Sequence, residues 1–308
     1  MSYEYNDGIE LHKRRVAYHN TLDMELQQTD ARIWALCDSH DLDAEGLSFD
    51  DVAETSMTKM TTKFQKTPHM DMGHARRWLK SSNYFWSTKM DTFDKSTALT
   101  RVDSSYIKSA KAAANRTKDD VCLDAMFANV KTGMDAAGDD DDIEFPASQI
   151  VHVRAGSANW DPANPGATGS DVGLNAKKLK MVKGLFMRNE APEDEQINIA
   201  INADAFEDLL DDDEIKNKDF FLGEFNEKGK VSALGYNFVH SERVKKSGGN
   251  ILLPAWQKSG VARAITSELV TDLGKRRDLS NAWQASAEMS VGGFRRREGQ
   301  VAQIVIKQ

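Results

Sequence analysis

Between Ser104 and Met134 the chain runs for about thirty residues without proline, and without glycine until Gly133, a length that as an α-helix spans on the order of 40 Å. Ile107, Ala110, Ala114, Thr117, Val121, Ala125 and Ala128 recur at helical spacing, and Leu123, Met126, Phe127 and Val130 widen that stripe toward the carboxyl end. Asp103, Ser104 and Ser105 suit an N-cap and Gly133 a C-cap, so the spacing predicts one helix over Ser104 to Met134. A rod of this length exceeds the ordinary helix of a globular domain.

A second amphipathic helix is predicted from Glu10 to Cys37. Leu11, Tyr18, Leu22, Leu26, Ile33 and Leu36 return to one face, while Lys13, Arg14, Arg15, Asp23, Glu25, Gln27 and Asp30 point away. The polar stretch Asp41 to Gly46 breaks it. From Glu54 to Asp94 threonine, serine, methionine and aromatics dominate, and two β-rich arms, Met57 to Lys66 and Ala75 to Lys89, joined at Thr67 to Gly73, predict a long hairpin. Its apolar content is thin, and a two-stranded ribbon is marginal alone, so it must gain order from a neighbour.

Further along, Asp135 to Gly173 reads as loop around a strand at Ile150 to Val153. A helix over Leu174 to Asn189, a strand over Ile197 to Ile201 and a short helix over Ala205 to Leu210 follow. Next come a turn at Asn226 to Gly229, strands near Leu234 to His240 and Ile251 to Trp256, and a helix or turn at Gly260 to Ile265. Two closing strands, Trp283 to Phe294 and Gln300 to Lys307, are joined by Arg295 to Gly299. Without repeated strand-helix-strand alternation the class is α+β with antiparallel pairing. No internal repeat is present.

With 308 residues the chain can bury a core as one large or two modest domains, and no disulfide or metal is required. Its 40% hydrophobic and 29% charged residues mark a folding chain. No apolar run approaches the roughly 18 to 20 residues that cross a bilayer, so neither secretion nor membrane spanning is expected. Cys37 and Cys122, read as lying on separate helices, are expected as free thiols. A net charge of -8 opposes tight, sequence-independent binding of nucleic acid, which depends on neutralising phosphates.

Chemistry-bearing patterns are sparse. No phosphate-binding glycine loop, G-x-S-x-G elbow or H-E-x-x-H pair occurs. His69, Asp71 and His74 could ligate a metal, but in a hairpin turn such residues are simply solvated. The runs Asp139 to Asp142 and Asp211 to Glu214 lack the glycine-centred spacing of a calcium loop. Cys122, inside the long helix, reads as a packing residue. No catalytic, cofactor-binding or metal-binding residue is therefore expected. Basic clusters at Lys13 to Arg15, Arg76-Arg77, Lys275 to Arg277 and Arg295 to Arg297 admit contact with phosphate, a solvated face, or contact with acidic patches on another copy, and an acidic protein favours the last for most of them. The inter-subunit candidates are Lys13, Arg14, Arg15, Arg76, Arg77, Trp78, Arg295, Arg296 and Arg297.

The order of elements carries a resemblance. Thr67-Pro68-His69 through Gly73-His74-Ala75-Arg76-Arg77 is followed by an aromatic arm ending in Lys89-Met90-Asp91. Ser105-Tyr106 and then Asn115-Arg116-Thr117-Lys118-Asp119-Asp120 come next, on the long helix. This run resembles the major capsid proteins of tailed bacteriophages. The strand from Leu234 to Ser241 is similar to the family's glycine-aromatic-x-aromatic strand, and Gly292-Gly293-Phe294-Arg295 with Val301 to Ile306 fits the same family. The resemblance covers the chain from about Leu11 to its end.

It implies an α+β, HK97-like phage capsid fold: an N-terminal arm (1–53), an extended β-hairpin loop (54–94), and a peripheral domain with a long spine helix (95–173). An axial domain (174–275) and return strands of the peripheral domain (276–308) complete it. The implied function is a major capsid protein that self-assembles as pentamers and hexamers into an icosahedral shell around a double-stranded DNA genome, with no enzymatic activity. Its implied partners are further copies of itself, then scaffold, decoration and portal proteins, and packaged DNA by weak non-specific contact, with no cofactor and no membrane. The implied location is the virion capsid, after assembly in the host bacterial cytoplasm. The rival readings are a portal, neck or tail protein and a metal-dependent hydrolase using the aspartate runs. Replacing Arg76 and Arg77 together by glutamate is expected to block shell formation while sparing secondary structure.

Overall fold

The computed structural model describes residues 27–42, 46–63, 65–67, 69–90, 102–133, 142–166, 168–212 and 235–307. The long helix is there as α1 (Val102–Phe127), but it stops short of Met134. Beyond it Val130 forms an antiparallel bridge with Ile143, each N–H donating to the other's carbonyl at 2.9 Å, and Thr132 bridges Arg77. Pairing with distant chain therefore outcompetes further helical turns. Gly133, the expected C-cap, has φ 126° beyond the helix and gives its carbonyl to Trp78 Nε1 at 2.9 Å. The apolar stripe is correct in kind: Ala110, Ala114, Cys122, Leu123, Ala125 and Met126 are buried.

The expected helix over Glu10 to Cys37 is not found where it can be checked. Glu10 to Leu26 lies outside the described residues, and Gln27 to Cys37 contains only a 3₁₀ turn, Trp34–Leu36. The cause is Asp119 of α1, whose carboxylate accepts the backbone N–H groups of Arg32 (2.9 Å), Ile33 (3.0 Å) and Trp34 (3.0 Å). Those donors are then lost to a helical ladder. Cys37 thus sits at the end of a 3₁₀ turn. Its thiol and that of Cys122 are free and buried, and hydrogen bonding to Cys37, with burial, pushes the Cys122 thiol well above its usual pKa.

The described strands form three sheets. The first has the order β1-β10-β11-β4, from β1 (Asp38–Asp41), β10 (Val261–Arg276), β11 (Ala282–Arg295) and β4 (Ser82–Met90). The second runs β5-β12-β9-β6-β7, from β5 (Ile150–Val151), β12 (Val301–Lys307), β9 (Asn250–Gln257), β6 (Ile197–Ile201) and β7 (Tyr236–His240), with β8 (Lys245–Ser247) on β9. The third pairs β2 (Gly46–Val52) with β3 (His74–Lys80). Pairing is mixed rather than purely antiparallel, because β1 with β10, β5 with β12 and β6 with β7 are parallel. The two closing strands do not pair with each other. β11 belongs to the first sheet and β12 to the second, and the chain crosses between sheets over Arg296 to Gln300.

Two further expectations change. Gly260 to Ile265 is neither helix nor turn: a 3₁₀ turn ends at Gly260, and Val261 begins a sixteen-residue strand. The first arm of the hairpin is β2, not Met57 to Lys66, and the described residues between 53 and 73 hold no regular structure. Leu47 and Phe49 on β2 pack against a cluster of Leu42, Leu79, Val130 and Phe294, whereas Met57 to Lys66 has no comparable alternation to bury.

Two helices cover the second sheet, α2 (Ala176–Arg188) and α3 (Ala203–Asp211). Asn175 caps α2 by accepting the N–H of Lys178, and Asn202 caps α3 by accepting that of Ala205. All five residues of β6 are buried, so its isoleucine alternation marks a strand covered on both faces. Tyr236 donates its hydroxyl to the Leu179 carbonyl at 2.7 Å and ties β7 to α2. Lys178 is fully buried, and its ammonium donates to the carbonyls of Val153, Val172 and Val305 at 2.8 to 2.9 Å.

Candidate inter-subunit surface

The β2–β3 ribbon leaves the body through three consecutive residues with three different fates. Arg76 lies directly across from Asp50 and binds it bidentately at 2.6 and 2.9 Å, on the exposed face. That hydrogen bonding holds the Asp50 carboxyl below its usual pKa. Arg77, one position along a strand whose side chains alternate, points inward. It is buried, forms a bidentate pair with Glu298 at 2.6 and 2.8 Å, and donates to the Arg296 carbonyl at 2.8 Å. Burial works to raise the Glu298 carboxyl, but hydrogen bonding and charge contact with Arg77 outweigh it and hold Glu298 below its usual value. Trp78 is half-buried, donating its backbone N–H to Lys131 and its indole N–H to Gly133.

Arg295 ends β11 with no exposed surface at all. One guanidinium nitrogen donates to the carbonyls of Met126 (3.0 Å) and Ala128 (2.9 Å), the other to those of Ile143 (3.3 Å) and Glu144 (3.2 Å). The last carbonyls of α1 have no intrahelical partner, and a cation at that end is favoured by the helix dipole. Gly293 lets β11 lie close against α1, and Gly292 lets it lie against the Lys80–Ser81 backbone between β3 and β4. A Cβ on Gly292 would stand 2.0 Å from the Lys80 carbonyl oxygen, and one on Gly293 3.3 Å from the Ala125 Cβ of α1.

The nine inter-subunit candidates therefore separate. Lys13, Arg14 and Arg15 lie outside the described residues. Arg77 and Arg295 are corrected: both are spent inside their own chain, because a ribbon root and a helix end each needed buried donors. Arg296 is half-buried over the Phe49 ring, 5.2 Å from its centroid, with Asp38 at 3.5 Å. Arg76, Trp78 and Arg297 keep exposed or partly exposed surface, and Arg297 has no ion pair with another described residue. Sequence reasoning missed Glu298 and Asp119. A signal for Asp119 did exist, since it shares a helical face with Cys122, Leu123 and Met126, and a carboxylate on an apolar stripe must be held by donors.

Most of the exposed large apolar side chains among the described residues lie at two places. Val52, Met57, Met60, Met70 and Met72 stand out along the ribbon and its irregular tip, and Phe85 and Val270 stand out from the first sheet. Groups of exposed apolar residues, unlike isolated ones, mark contact surfaces. His69 and Asp71 pair at 3.0 Å on that tip, almost fully exposed, and among the described residues no three acidic, histidine or cysteine side chains gather to hold a metal.

The fold has counterparts. A family model for phage capsid proteins matches residues 12–307. The capsid of Cyanophage Pam1 is 11% identical, with 99% of this chain and 98% of that chain covered at a TM-score of 0.71. The capsid of Ralstonia phage GP4 is 10% identical over 100% and 98% of the two chains, at 0.68. That of Cyanophage P-SCSP1u is 14% identical over 96% and 93%, at 0.67. At such identities the likeness is one of fold. No curated protein matches.

Proposed function

The chain belongs to the phage capsid protein family, and from that footing we propose that it is the major capsid subunit of a tailed phage, a mechanical component without catalysis. Copies assemble as pentamers and hexamers into a closed icosahedral shell around double-stranded DNA, within the host cytoplasm. The observation that carries this reading is the end-to-end correspondence, by family model and by capsid folds, of one unbroken chain. A net charge of -8 suits a lining that encloses DNA without gripping it. No described helix is long and apolar enough to cross a membrane.

In this reading the arm ends before β2, and the extended loop runs from β2 through β3 to about residue 94, with the Arg77–Glu298 pair at its root and its methionine-bearing tip on a neighbouring copy. α1 is the spine of the peripheral domain. The axial domain starts at about 174 and ends where β9 hands over to β10, because β10 pairs along its length with β11. Scaffold, decoration and portal proteins are further partners. Purified protein examined by sedimentation and negative-stain microscopy should give shells or capsomers. Rings of one fixed copy number would indicate a portal, neck or tail role instead, and a persistent monomer would refute the reading.

A further inference from the structure

Helices α2 and α3 carry opposite and unmixed charge. On α2 the buried side is Leu179, Val182 and Phe186 with Lys178, and Lys177, Lys180, Lys183 and Arg188 are exposed, with no acidic residue in Ala176–Arg188. On α3 the buried side is Ala205 and Leu209, while Asp204, Glu207 and Asp211 are exposed at i, i+3 and i+7, with no basic residue in Ala203–Asp211. The helix dipole favours acids in a first turn and bases in a last, which Asp204 and Arg188 obey, whereas Lys177 in the first turn of α2 and Asp211 at the end of α3 oppose it. Breaks of a local preference concentrate where another requirement overrides it.

Part of this charge is used within the chain. The carboxylates of Asp208 and Asp212 accept the N–H groups of Leu174 (3.3 Å) and Ala176 (2.7 Å), joining the end of α3 to the start of α2. Lys180 and Asp211 also take part in interactions of their own. Lys177, Lys183, Arg188 and Glu207 remain, with no ion pair to any described residue, and Asp204 only accepts the Asn202 amide.

We propose that the basic face of α2 on one copy docks against the acidic face of α3 on the next, an inference that rests on the shell-subunit reading above. Two different patches on one molecule make a heterologous, head-to-tail contact, the kind that closes into rings when the rotation returns to its start. Opposite charge sets the register and rejects approaches that would place α2 on α2 or α3 on α3. Exposed pairs are weak and salt-screened, so this contact orients copies that other surfaces hold.

Charge reversal tests it, with assembly read by sedimentation and microscopy at low salt. One chain carries Lys177→Glu, Lys183→Glu and Arg188→Glu, a second carries Asp204→Lys and Glu207→Lys, and a third carries all five. If wild type fails to assemble, the shell-subunit reading fails first. Given wild-type assembly, each of the first two chains should lose it by roughly tenfold or more, and the third should regain it. An equimolar mixture of the first two should regain even-membered rings, since α2 of one then meets α3 of the other with opposite sign. Rescue in the third chain without rescue on mixing would put the pairing inside one chain and overturn the proposal. Normal shells from either single reversal would overturn it, as would normal shells from the first chain that fail only to retain DNA. Thermal melting checks each subunit. Should a reversed chain melt early, glutamine replacements at the same positions should still weaken assembly several-fold, and full assembly from them would count against the contact.

Discussion

Asp119 Oδ1 lies 3.0 Å from the backbone nitrogen of Trp34, and the same oxygen takes the N–H of Ile33. With Oδ2 accepting Arg32 N–H and the Gln28 amide, one carboxylate on the spine fixes the segment that leads in from the amino terminus. Trp34 is buried by that anchorage, and Arg263 stacks on its ring at 4.8 Å.

Asp119→Ala should cost about 3 kcal/mol or more in urea unfolding, because several buried donors lose their acceptor and each unmade bond costs roughly 1–3 kcal/mol. Limited proteolysis should then cut near Gln27 to Cys37. Unchanged protection of that segment would show that packing of Ile33 and Trp34 suffices without the carboxylate.

Arg76 and Arg77, adjacent in sequence, should behave oppositely. Arg77→Met leaves the half-buried Glu298 with only Arg295, 3.7 Å away, and should destabilise by roughly 2–3 kcal/mol, with Arg77→Met/Glu298→Met recovering much of the loss. Arg76→Glu should lower the unfolding midpoint only modestly, since both the lost pair with Asp50 and the new like-charge contact across the ribbon are solvent-screened. The double replacement by glutamate is therefore a poor probe of assembly, whereas Arg76→Glu alone is a clean one. A midpoint shift as large for Arg76 as for Arg77 would contradict this assignment.

Gly292→Ala should destabilise by about 2 kcal/mol or more, since its methyl would meet rigid backbone at Lys80. Gly293→Ala, facing the small Ala125 side chain, should cost less. Calorimetric melting of the two variants ranks them directly.

Burial brings the Lys178 ammonium down from its ordinary 10.5 to about 7. Between those values the unfolded chain keeps a proton that the folded chain releases, so unfolding free energy rises with pH across that window. Below about 7 both states bind it and the contribution is constant. Wild type should therefore gain stability over Lys178→Met as pH climbs from 7 toward 10. A difference independent of pH would mean that the three carbonyl partners of Lys178 hold its ammonium charged throughout.

Elements whose evidence is periodic were legible. The stripe of α1, the apolar face of α2 and the isoleucine alternation of β6 each report a local geometry, and each element stands within a few residues of its expected place except at the end of α1. Boundaries failed where a distant group competed for backbone donors or acceptors. Asp119 takes the N–H groups of Arg32 to Trp34 from a helix, and Ile143 takes Val130. Of the candidate surface, clustering of charge could be seen, but not which arginine of Arg76-Arg77 turns inward, because that depends on the register of β3 against β2.

Sequence alone determined the strongly periodic elements α1, α2 and β6, the acidic balance of the chain, and the family resemblance carried by the order of its parts, since side-chain periodicity and composition belong to each segment by itself. Tertiary structure decided which strands pair and which charges are interior: that β11 and β12 part company, that Arg295 closes the spine helix, and that Asp119 holds the entering chain. Those outcomes depend on hydrogen-bond partners distant in sequence, 85 residues apart for Asp119 and Trp34 and 169 for Arg295 and Met126, and no local pattern encodes a partner at that distance.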